Sequence, residues 1–135
     1  MTGTSPLTMI PVGSDRALWE FVRTLRNDPR VKAGFIQQDD ITREQQERYM
    51  SRWGDSYFVC CVDGDPAGYC GVVDNDIRIA THPDRQRLGV AAFMLDFLRK
   101  RFPEAVAKIK VENEGSLRLF VKAGYVPRYY ILEPS

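Results

Sequence analysis

The stretch between residues 77 and 91 constrains the fold more than any other part of the chain. Ile77 to Thr81 has a strand-like pattern, His82-Pro83 breaks it, and a basic loop then opens an apolar helix near Gly89. The first amides of a helix have no internal partners, and the helix dipole adds partial positive charge there. A tight turn over Gln86 to Ala91 would therefore direct several backbone N–H groups at one anion. The segment predicts a strand–loop–helix unit, and by itself it leaves two roles open for the turn: an anion-binding site or ordinary turn chemistry at a helix start.

Apolar periodicity and turn signals predict the other elements. Thr42 and Gln45 form a capping box for one helix, and Asp28-Pro29 ends the helix before it. Gly64-Asp65-Pro66 and Asp74-Asn75-Asp76 are typical of tight turns between strands. We expect strands at about 7–12, 57–63, 67–73, 77–81, 107–112 and 125–132, and helices at about 15–27, 42–53, 89–101 and 117–122. This order predicts one α/β domain over residues 1–135, with a mixed, mostly antiparallel sheet flanked by about four helices.

Charge distribution narrows the classes of ligand. The net charge is only +1, which argues against binding to nucleic acid through bulk electrostatics. Residues 1–83 carry nine Lys and Arg against twelve Asp and Glu (net −3), whereas residues 84–135 carry ten against six (net +4). We expect the basic second half to hold an anionic ligand.

Apolar runs and cysteine usage point to a reducing, non-membrane environment. No apolar run approaches the ~20 residues of a membrane-spanning helix. Met1 to Pro11 has no basic region followed by an apolar stretch, which predicts a cytoplasmic protein without a secretory signal. Cys60, Cys61 and Cys70 lie in apolar segments, and His82 is the only histidine. This pattern favours buried small hydrophobic side chains over a metal site, so no metal is expected.

Two motifs resemble the signatures of the GNAT acetyltransferase superfamily. Gln86-x-x-Gly89-x-Ala91, after a strand that ends in Ala80-Thr81-His82-Pro83, resembles that superfamily's acetyl-CoA loop. Downstream, the segment from Val111 to Tyr125 contains an Asn, an apolar pair and then Lys-Ala-Gly-Tyr, and it resembles the second signature. The order and separation of the motifs fit, and the resemblance covers about residues 57–130.

The resemblance implies a site for acetyl-CoA between two strands that splay apart, here 77–81 and 107–112. The amides of the loop would take the pyrophosphate, and the backbone near Ala80 and Thr81 would pair with the pantetheine arm. An amide near Thr81 would polarise the acetyl carbonyl. A turn after a strand is the competing role for Asn113, and a solvated helix face is the competing role for Lys122. The implied cofactor site comprises Ala80, Thr81, Gln86, Arg87, Leu88, Gly89, Val90, Ala91, Asn113, Phe120 and Lys122.

Proton transfer is the least determined part of the implied chemistry. Where many members have a tyrosine that protonates the leaving thiolate, this chain has Phe120, which has no proton to give. Where some members have a glutamate base, it has Asn75. A water relay is one alternative, and turn formation or packing competes with catalysis for every candidate side chain. The candidates are Asp74, Asp76, His82 and Tyr125.

We therefore expect an N-acetyltransferase that moves acetyl from acetyl-CoA to a primary amine of a small molecule, by direct attack in a ternary complex. Residues 25–31 and 41–50 resemble the entry region of GNAT enzymes that acetylate nucleotide-linked amino sugars, although Gln46 stands where those have His. A protein amine or a modified nucleobase as acceptor, and a CoA-binding module without catalysis, are the alternatives. Tyr125 to Ile131 is apolar enough to support a homodimer. The sequence leaves open the acceptor, the proton-transfer group, the use of other acyl groups and the oligomeric state.

Overall fold

A computed structural model describes residues 6–135; residues 1–5, which the predicted domain includes, lie outside the described part. Within it, one antiparallel sheet has the strand order β1-β2-β3-β4. The strands are β1 (Leu7–Pro11), β2 (Tyr57–Val62), β3 (Asp65–Val73) and β4 (Asp76–Thr81). The helices are α1 (Arg16–Asn27), α2 (Pro29–Lys32), α3 (Arg43–Trp53), α4 (Val90–Arg101) and α5 (Glu114–Lys122). The predicted α/β class, with an antiparallel sheet and flanking helices, is confirmed.

Both faces of the sheet are covered, so β2 is buried along its whole length. Phe58, Cys60 and Val62 pack on the side of α4 and α5, whereas alternate β2 residues pack on the side of α1 and α3. This division follows from the two-residue period of a strand, which directs successive side chains to opposite faces. The three cysteines are free and buried, as the sequence predicted.

Local capping explains where the first helices begin and end. Thr42 and Gln45 form the predicted capping box, in which the Gln45 amide donates to Thr42 Oγ1 at 3.1 Å and the Thr42 amide donates to Gln45 Oε1 at 2.8 Å. At Asp28, α1 ends as predicted, but the Asp28 side chain then caps α2, whose first residue is Pro29. Proline suits the first helical position because it lacks an N–H that would have no partner there. The short α2 is thus the helix that the sequence analysis missed.

The two hairpin turns are tighter than predicted, which changes the position of Asp76. Asp63-Gly64 and Asp74-Asn75 each place both residues at positive φ (51° and 82°; 52° and 64°), the geometry of two-residue hairpin loops. Asp76 therefore belongs to β4, opposite Val73, rather than to the turn. Because alternate residues share a face, the side chain of Asp76 lies on the same face as Arg78 and Ala80, which is the face toward α1 and α3.

Two predicted strands are wrong. In the predicted strand 107–112 no residue is in a strand; just before it, Val106 forms one isolated parallel bridge with Asp76. In the predicted last strand 125–132, no residue is in a strand, and Tyr129, Tyr130 and Leu132 are at least 90% exposed. A strand forms only where a neighbouring edge supplies hydrogen bonds, so β-propensity alone did not suffice in either segment. Among residues 6–135, no helix combines the length and the apolar character needed to cross a membrane.

Candidate active site

A cleft of about 1280 Å³ lies beside the outer edge of β4. Its floor is the sheet face that carries Tyr57, Tyr69 and Arg78, and one wall is formed by α1 and α3. The opposite side is formed by the start of α4, residues 107–109 and the first part of α5. Residues 33–41, which we call the strap, lie along the cleft between these walls. The cleft therefore joins the loop at residues 85–91 to a side pocket against α1 and α3.

Exposed backbone donors surround the loop end of the cleft. After a 3₁₀ turn at Pro83–Arg85, the chain turns through Gly89 and begins α4 at Val90. Among the described residues, the amides of residues 86–89 have no hydrogen-bond partner. The first amides of α4 add free donors and the positive end of the helix dipole. We call the donors of residues 86–91 the cradle; they can bind a diphosphate without any side chain.

The shape of the cradle depends on two left-handed residues. Arg87 has φ 68° and Gly89 has φ 81°. A non-glycine residue in this region is uncommon and costs of order 1 kcal/mol. A Cβ built on Gly89 would meet only Leu7 Cδ1, at 4.0 Å. Glycine is thus required at position 89 by its φ angle and not by lack of space.

A gap along β4 continues from the cradle. The Ile77 amide donates to the Val106 carbonyl at 2.8 Å, and the Val106 amide donates to the Asn75 carbonyl at 2.9 Å; beyond this point the two segments diverge. In an antiparallel strand, alternate residues direct their N–H and C=O groups to opposite sides. Since Ile77 faces outward, Ile79 and Thr81 do the same, whereas Ala80 pairs with Tyr69 of β3.

This alternation refines the prediction that Ala80 and Thr81 both offer backbone groups to the cofactor. Thr81 lies at the gap as expected, but the backbone of Ala80 is directed at β3, and Ala80 contributes only its side chain to the cleft wall. Ile79, which the sequence analysis did not name, has the outward position instead. The hydrogen bond from Ile77 to Val106 shows which alternate residues of β4 face outward. Val106 lies too far along the chain for a local motif to include it.

Three downstream residues of the predicted cofactor site have different surroundings. Asn113 lines the cleft, caps α5 by accepting from the Ser116 amide at 3.1 Å, and donates through Nδ2 to the Gly34 carbonyl at 3.4 Å. Phe120 also lines the cleft; it is 4% exposed and packs edge-on against Tyr125 with ring centroids 5.2 Å apart. Lys122 is exposed on α5 and does not line the cleft.

Of the four predicted proton-transfer candidates, the structure brings only Asp76 to the cleft. Its Oδ1 atom is buried without a hydrogen-bond partner among the described residues, and its Oδ2 atom lies 3.5 Å from Arg78 Nη2. A carboxylate oxygen in this state is unusual, because buried polar atoms are nearly always paired.

Asp74, His82 and Tyr125 lie outside the cleft wall. Asp74 is an exposed turn residue. His82 Nδ1 accepts a hydrogen bond from the Asp84 amide at 3.1 Å, so that lone pair is already engaged. Burial raises the pKa of Tyr125, and its hydroxyl has no partner among the described residues.

The side pocket contains a group of tyrosines that the sequence did not connect with one another. Tyr49 and Tyr57 share a hydrogen bond of 2.7 Å between their hydroxyls, and the ring of Tyr69 lies 6.0 Å from that of Tyr57. Burial raises the pKa values of Tyr57 and Tyr69, so both hydroxyls stay protonated and can donate. Gln46 lines the cleft and also has a structural role, because its Nε2 donates to the Trp19 carbonyl at 2.9 Å and joins α3 to α1.

An antiparallel sheet with one opened edge thus lies beside a cradle of helix-start amides, an arrangement that suits a transferase for an acyl-CoA. Comparison with known proteins agrees: residues 19–125 match the model of the Acetyltransferase (GNAT) family. The chain belongs to this family. It is accordingly an acyl-CoA-dependent N-acetyltransferase, with acetyl-CoA as its co-substrate.

Solved structures of the same fold extend over nearly the whole chain. Spermidine N-acetyltransferase from Vibrio cholerae, in complex with CoA and spermine, has a TM-score of 0.79 at 15% identity and covers 95% of this chain and 85% of that one. A GNAT-family acetyltransferase from Bacillus anthracis has a TM-score of 0.69 at 19% identity, covering 90% and 81%. Aminoglycoside acetyltransferase AAC(6')-Ib with coenzyme A has a TM-score of 0.69 at 15% identity, covering 91% and 86%. At these identities the likeness establishes the fold, and no curated protein sequence matches significantly.

Proposed function

We propose that this protein acetylates a primary amine of a small molecule, by direct attack of the amine in a ternary complex with acetyl-CoA. The observation that carries this proposal is the continuity of the cleft, because the cradle, the gap beside β4 and the side pocket share one volume. Two reactants held in one cleft react as if at very high local concentration, which supplies much of the rate.

The residues present fit acetyl-CoA. The amides of residues 86–91 suit its diphosphate, and the outward backbone groups of Ile79 and Thr81 suit the amides of its pantetheine arm. Arg87 adds a positive charge at the cradle without an ion pair to any described residue. When bound, the co-substrate supplies an acetyl thioester, whose thiol leaving group has a pKa near 8.5 and needs little assistance.

Asp76 is the residue that we assign to proton transfer. Its carboxylate is the one predicted candidate at the cleft, and Oδ1 lacks a partner that an ammonium N–H would provide. Asp76 would hold the incoming amine and take its proton as the new C–N bond forms and the C–S bond breaks. Phe120 has no proton to return to the leaving thiolate, so that proton comes from solvent.

The strap favours a small acceptor over a protein chain. Lys110 Nζ donates to the Ala33 carbonyl at 3.2 Å, and Asn113 donates to the Gly34 carbonyl at 3.4 Å. A Cβ on Gly34 would approach Asn113 Nδ2 to 3.0 Å, so the strap fits closely against residue 113. These contacts tie one end of the strap across the cleft, which leaves less room for an extended polypeptide than for a small molecule.

A binding measurement followed by a turnover assay tests this function. Acetyl-CoA is titrated by calorimetry, and thiol release is then followed with polyamines, amino acids, aminoglycosides, nucleotide-linked amino sugars, nucleosides and a lysine peptide. We expect saturable binding and turnover with at least one small amine, with an N-acetylated product by mass spectrometry. Binding without release of thiol would identify a CoA-binding module instead, and turnover confined to the peptide would contradict the small-molecule assignment.

A further inference from the structure

Two arginines line the acceptor end of the cleft, one from α1 and one from β4. Arg26 is partly buried, with its guanidinium stacked on the Phe35 ring at 4.6 Å from the centroid. One terminal nitrogen, Nη2, donates to the Gln37 carbonyl. The other, Nη1, is buried without a hydrogen-bond partner among residues 6–135, and no described carboxylate lies within ion-pair distance of Arg26.

Arg78 presents a second guanidinium from the floor of the same pocket. Its cross-strand neighbour is Gly71, and the space that a side chain would take there is filled by Ser56 and Tyr57. The side chain of Arg78 itself is 46% exposed. The nearest carboxylate, Asp76, is 3.5 Å away, which is longer than a good charge-assisted hydrogen bond. Most of the five N–H donors of Arg78 are therefore available to a ligand.

An arginine in this position is costly unless something pairs with it. A partly buried guanidinium with one unpartnered nitrogen opposes folding, and a Leu or Met on α1 would fill the same space at lower cost. The planar fork of a guanidinium matches a carboxylate or a phosphate, which accepts two parallel hydrogen bonds. The hydroxyl of Tyr69 and one hydroxyl of the hydrogen-bonded Tyr49–Tyr57 pair add further groups that can donate to an anion.

The carboxylates of the cleft are distributed differently. Asp39 and Asp40 lie on the exposed strap, and Asp40 is already paired with Lys32 Nζ at 2.6 Å. Asp76 is the remaining carboxylate of the lining, beside the sheet. Arg30 also lines the cleft, but it is paired with Asp28 at 2.8 Å. Asp76, Arg26 and Arg78 therefore remain, and they are complementary to a molecule that carries both an amine and an anion.

We propose that the acceptor is an amine that also carries a carboxylate or a phosphate, with its anion bound by Arg26 and Arg78 and its amine held at Asp76. This inference rests on the proposed function and specifies its substrate class. A polyamine, which is cationic along its whole length, would place positive charge against both arginines. A free amino acid and a phosphate-bearing amino sugar present the same chemistry, and the assay separates them.

Matched pairs of amines test the inference on the purified chain with acetyl-CoA. Each pair shares its amine and differs in the anion: each of several amino acids against the amine from its decarboxylation, and glucosamine 6-phosphate against glucosamine. Spermidine serves as the polyamine. We expect kcat/KM for thiol release to be about 10- to 100-fold higher for the anion-bearing member of the productive pair, as for loss of charge-assisted hydrogen bonds. The pair that responds identifies the carboxylate or the phosphate as the natural anion.

Charge-removing variants assign the preference to the two residues. Arg26→Gln and Arg78→Gln should each reduce the ratio of kcat/KM values between the two members of the productive pair about tenfold, by raising KM for the anionic member. Arg26→Lys should retain part of the ratio because the positive charge remains. Arg16→Gln, on the same helix but 69% exposed and outside the cleft, is the control. Acetyl-CoA affinity by calorimetry reports in every variant that the chain is folded.

The outcomes separate failure of the inference from failure of the function. Equal rates within all pairs, or a preference for spermidine, overturn the inference and leave the N-acetyltransferase intact. A preference that persists in both Gln variants also overturns it. Absence of acetyl-CoA binding overturns the proposed function, and binding without turnover of any amine overturns both.

Discussion

The cradle and the side pocket against α1 and α3, which is the proposed acceptor pocket, adjoin in one cleft but are built by different means. The cradle consists of backbone groups from one continuous stretch, with Gly89 and Arg87 fixing its turn. The acceptor pocket consists of side chains from α1, α3 and three strands, which meet only because the sheet and helices pack. Backbone amides recognise any diphosphate of suitable shape, whereas side chains choose a particular acceptor. Under the proposed function, the co-substrate can thus be fixed while the acceptor is changed by substitution.

The largest expected effect is a loss of kcat when Asp76 is substituted, compared with no loss at the neighbouring turn residue Asp74. Asp76→Asn should lower kcat by about 10²- to 10⁴-fold, because an amide cannot accept the ammonium proton. The residual activity should rise with pH as solvent deprotonates the amine. Initial rates of thiol release between pH 6 and 10, with acetyl-CoA affinity measured alongside, check this.

Asp74→Asn is the matched control for that variant. Asp74 is exposed, two residues away, and outside the cleft, and asparagine tolerates its positive φ. We expect this variant to retain full activity. If Asp74→Asn lost activity and Asp76→Asn kept it, the assignment of the base would be wrong.

The next effect tests whether the cradle depends on backbone shape. Gly89→Ala should weaken acetyl-CoA binding about tenfold or more, because alanine at φ 81° costs about 1 kcal/mol and relaxation away from it misdirects the amides. Gly64→Ala is matched to it, since Gly64 has φ 82°, lies in a hairpin turn and has open space around it. Both variants should lose similar stability in a denaturant titration, but only the first should lose affinity by calorimetry. Equal affinities would mean that the cradle does not bind the co-substrate.

A smaller effect tests the side-chain character of the acceptor pocket. Tyr57→Phe removes the hydroxyl that pairs with Tyr49, which should lower the free energy of unfolding by about 1 kcal/mol and raise KM for the amine a few-fold. Acetyl-CoA affinity should stay unchanged, and Tyr129→Phe, at a 90% exposed position, should change nothing. A loss of kcat near that of Asp76→Asn would instead give Tyr57 a role in proton transfer.

The smallest expected signal concerns the cysteines and the assay itself. Burial raises the pKa of Cys60 to about 11 and also raises the pKa values of Cys61 and Cys70. Only the thiolate reacts, so at pH 8 roughly 0.1% of Cys60 is reactive even where reagent reaches it. The folded chain should give almost no signal with a thiol reagent, and the denatured chain should give three equivalents. Rapid labelling without denaturant would show that the helices on one face of the sheet separate from it readily.

Local rules succeeded where the decisive contacts are near in sequence. The capping box at Thr42 and Gln45, the end of α1 at Asp28 and the start of α4 after Gly89 were all predicted, because each depends on hydrogen bonds within one turn. Asp76 was named as a candidate, but the sequence assigned it to a turn. Only the two-residue loop at Asp74-Asn75 moved Asp76 into β4 and onto the face of the cleft.

Prediction failed where a partner far along the chain decides the outcome. Residues 107–112 and 125–132 have the residue types of strands, yet no described edge pairs with them. Arg26 and the tyrosines at positions 49, 57 and 69 do not belong to one sequence motif, because they lie on separate helices and strands. Their spacing in the sequence says nothing about their distance in space.

What the sequence determined alone is the cradle, since a strand, a proline break, a glycine and a helix start suffice to expose a run of amides. Tertiary structure decided the gap beside β4, the position of Asp76 on the cleft face of the sheet and the presence of Arg26 and Arg78 in one cleft. The reason is physical: a helix start satisfies or exposes its own hydrogen bonds locally, whereas a pocket exists only after distant side chains have been buried together.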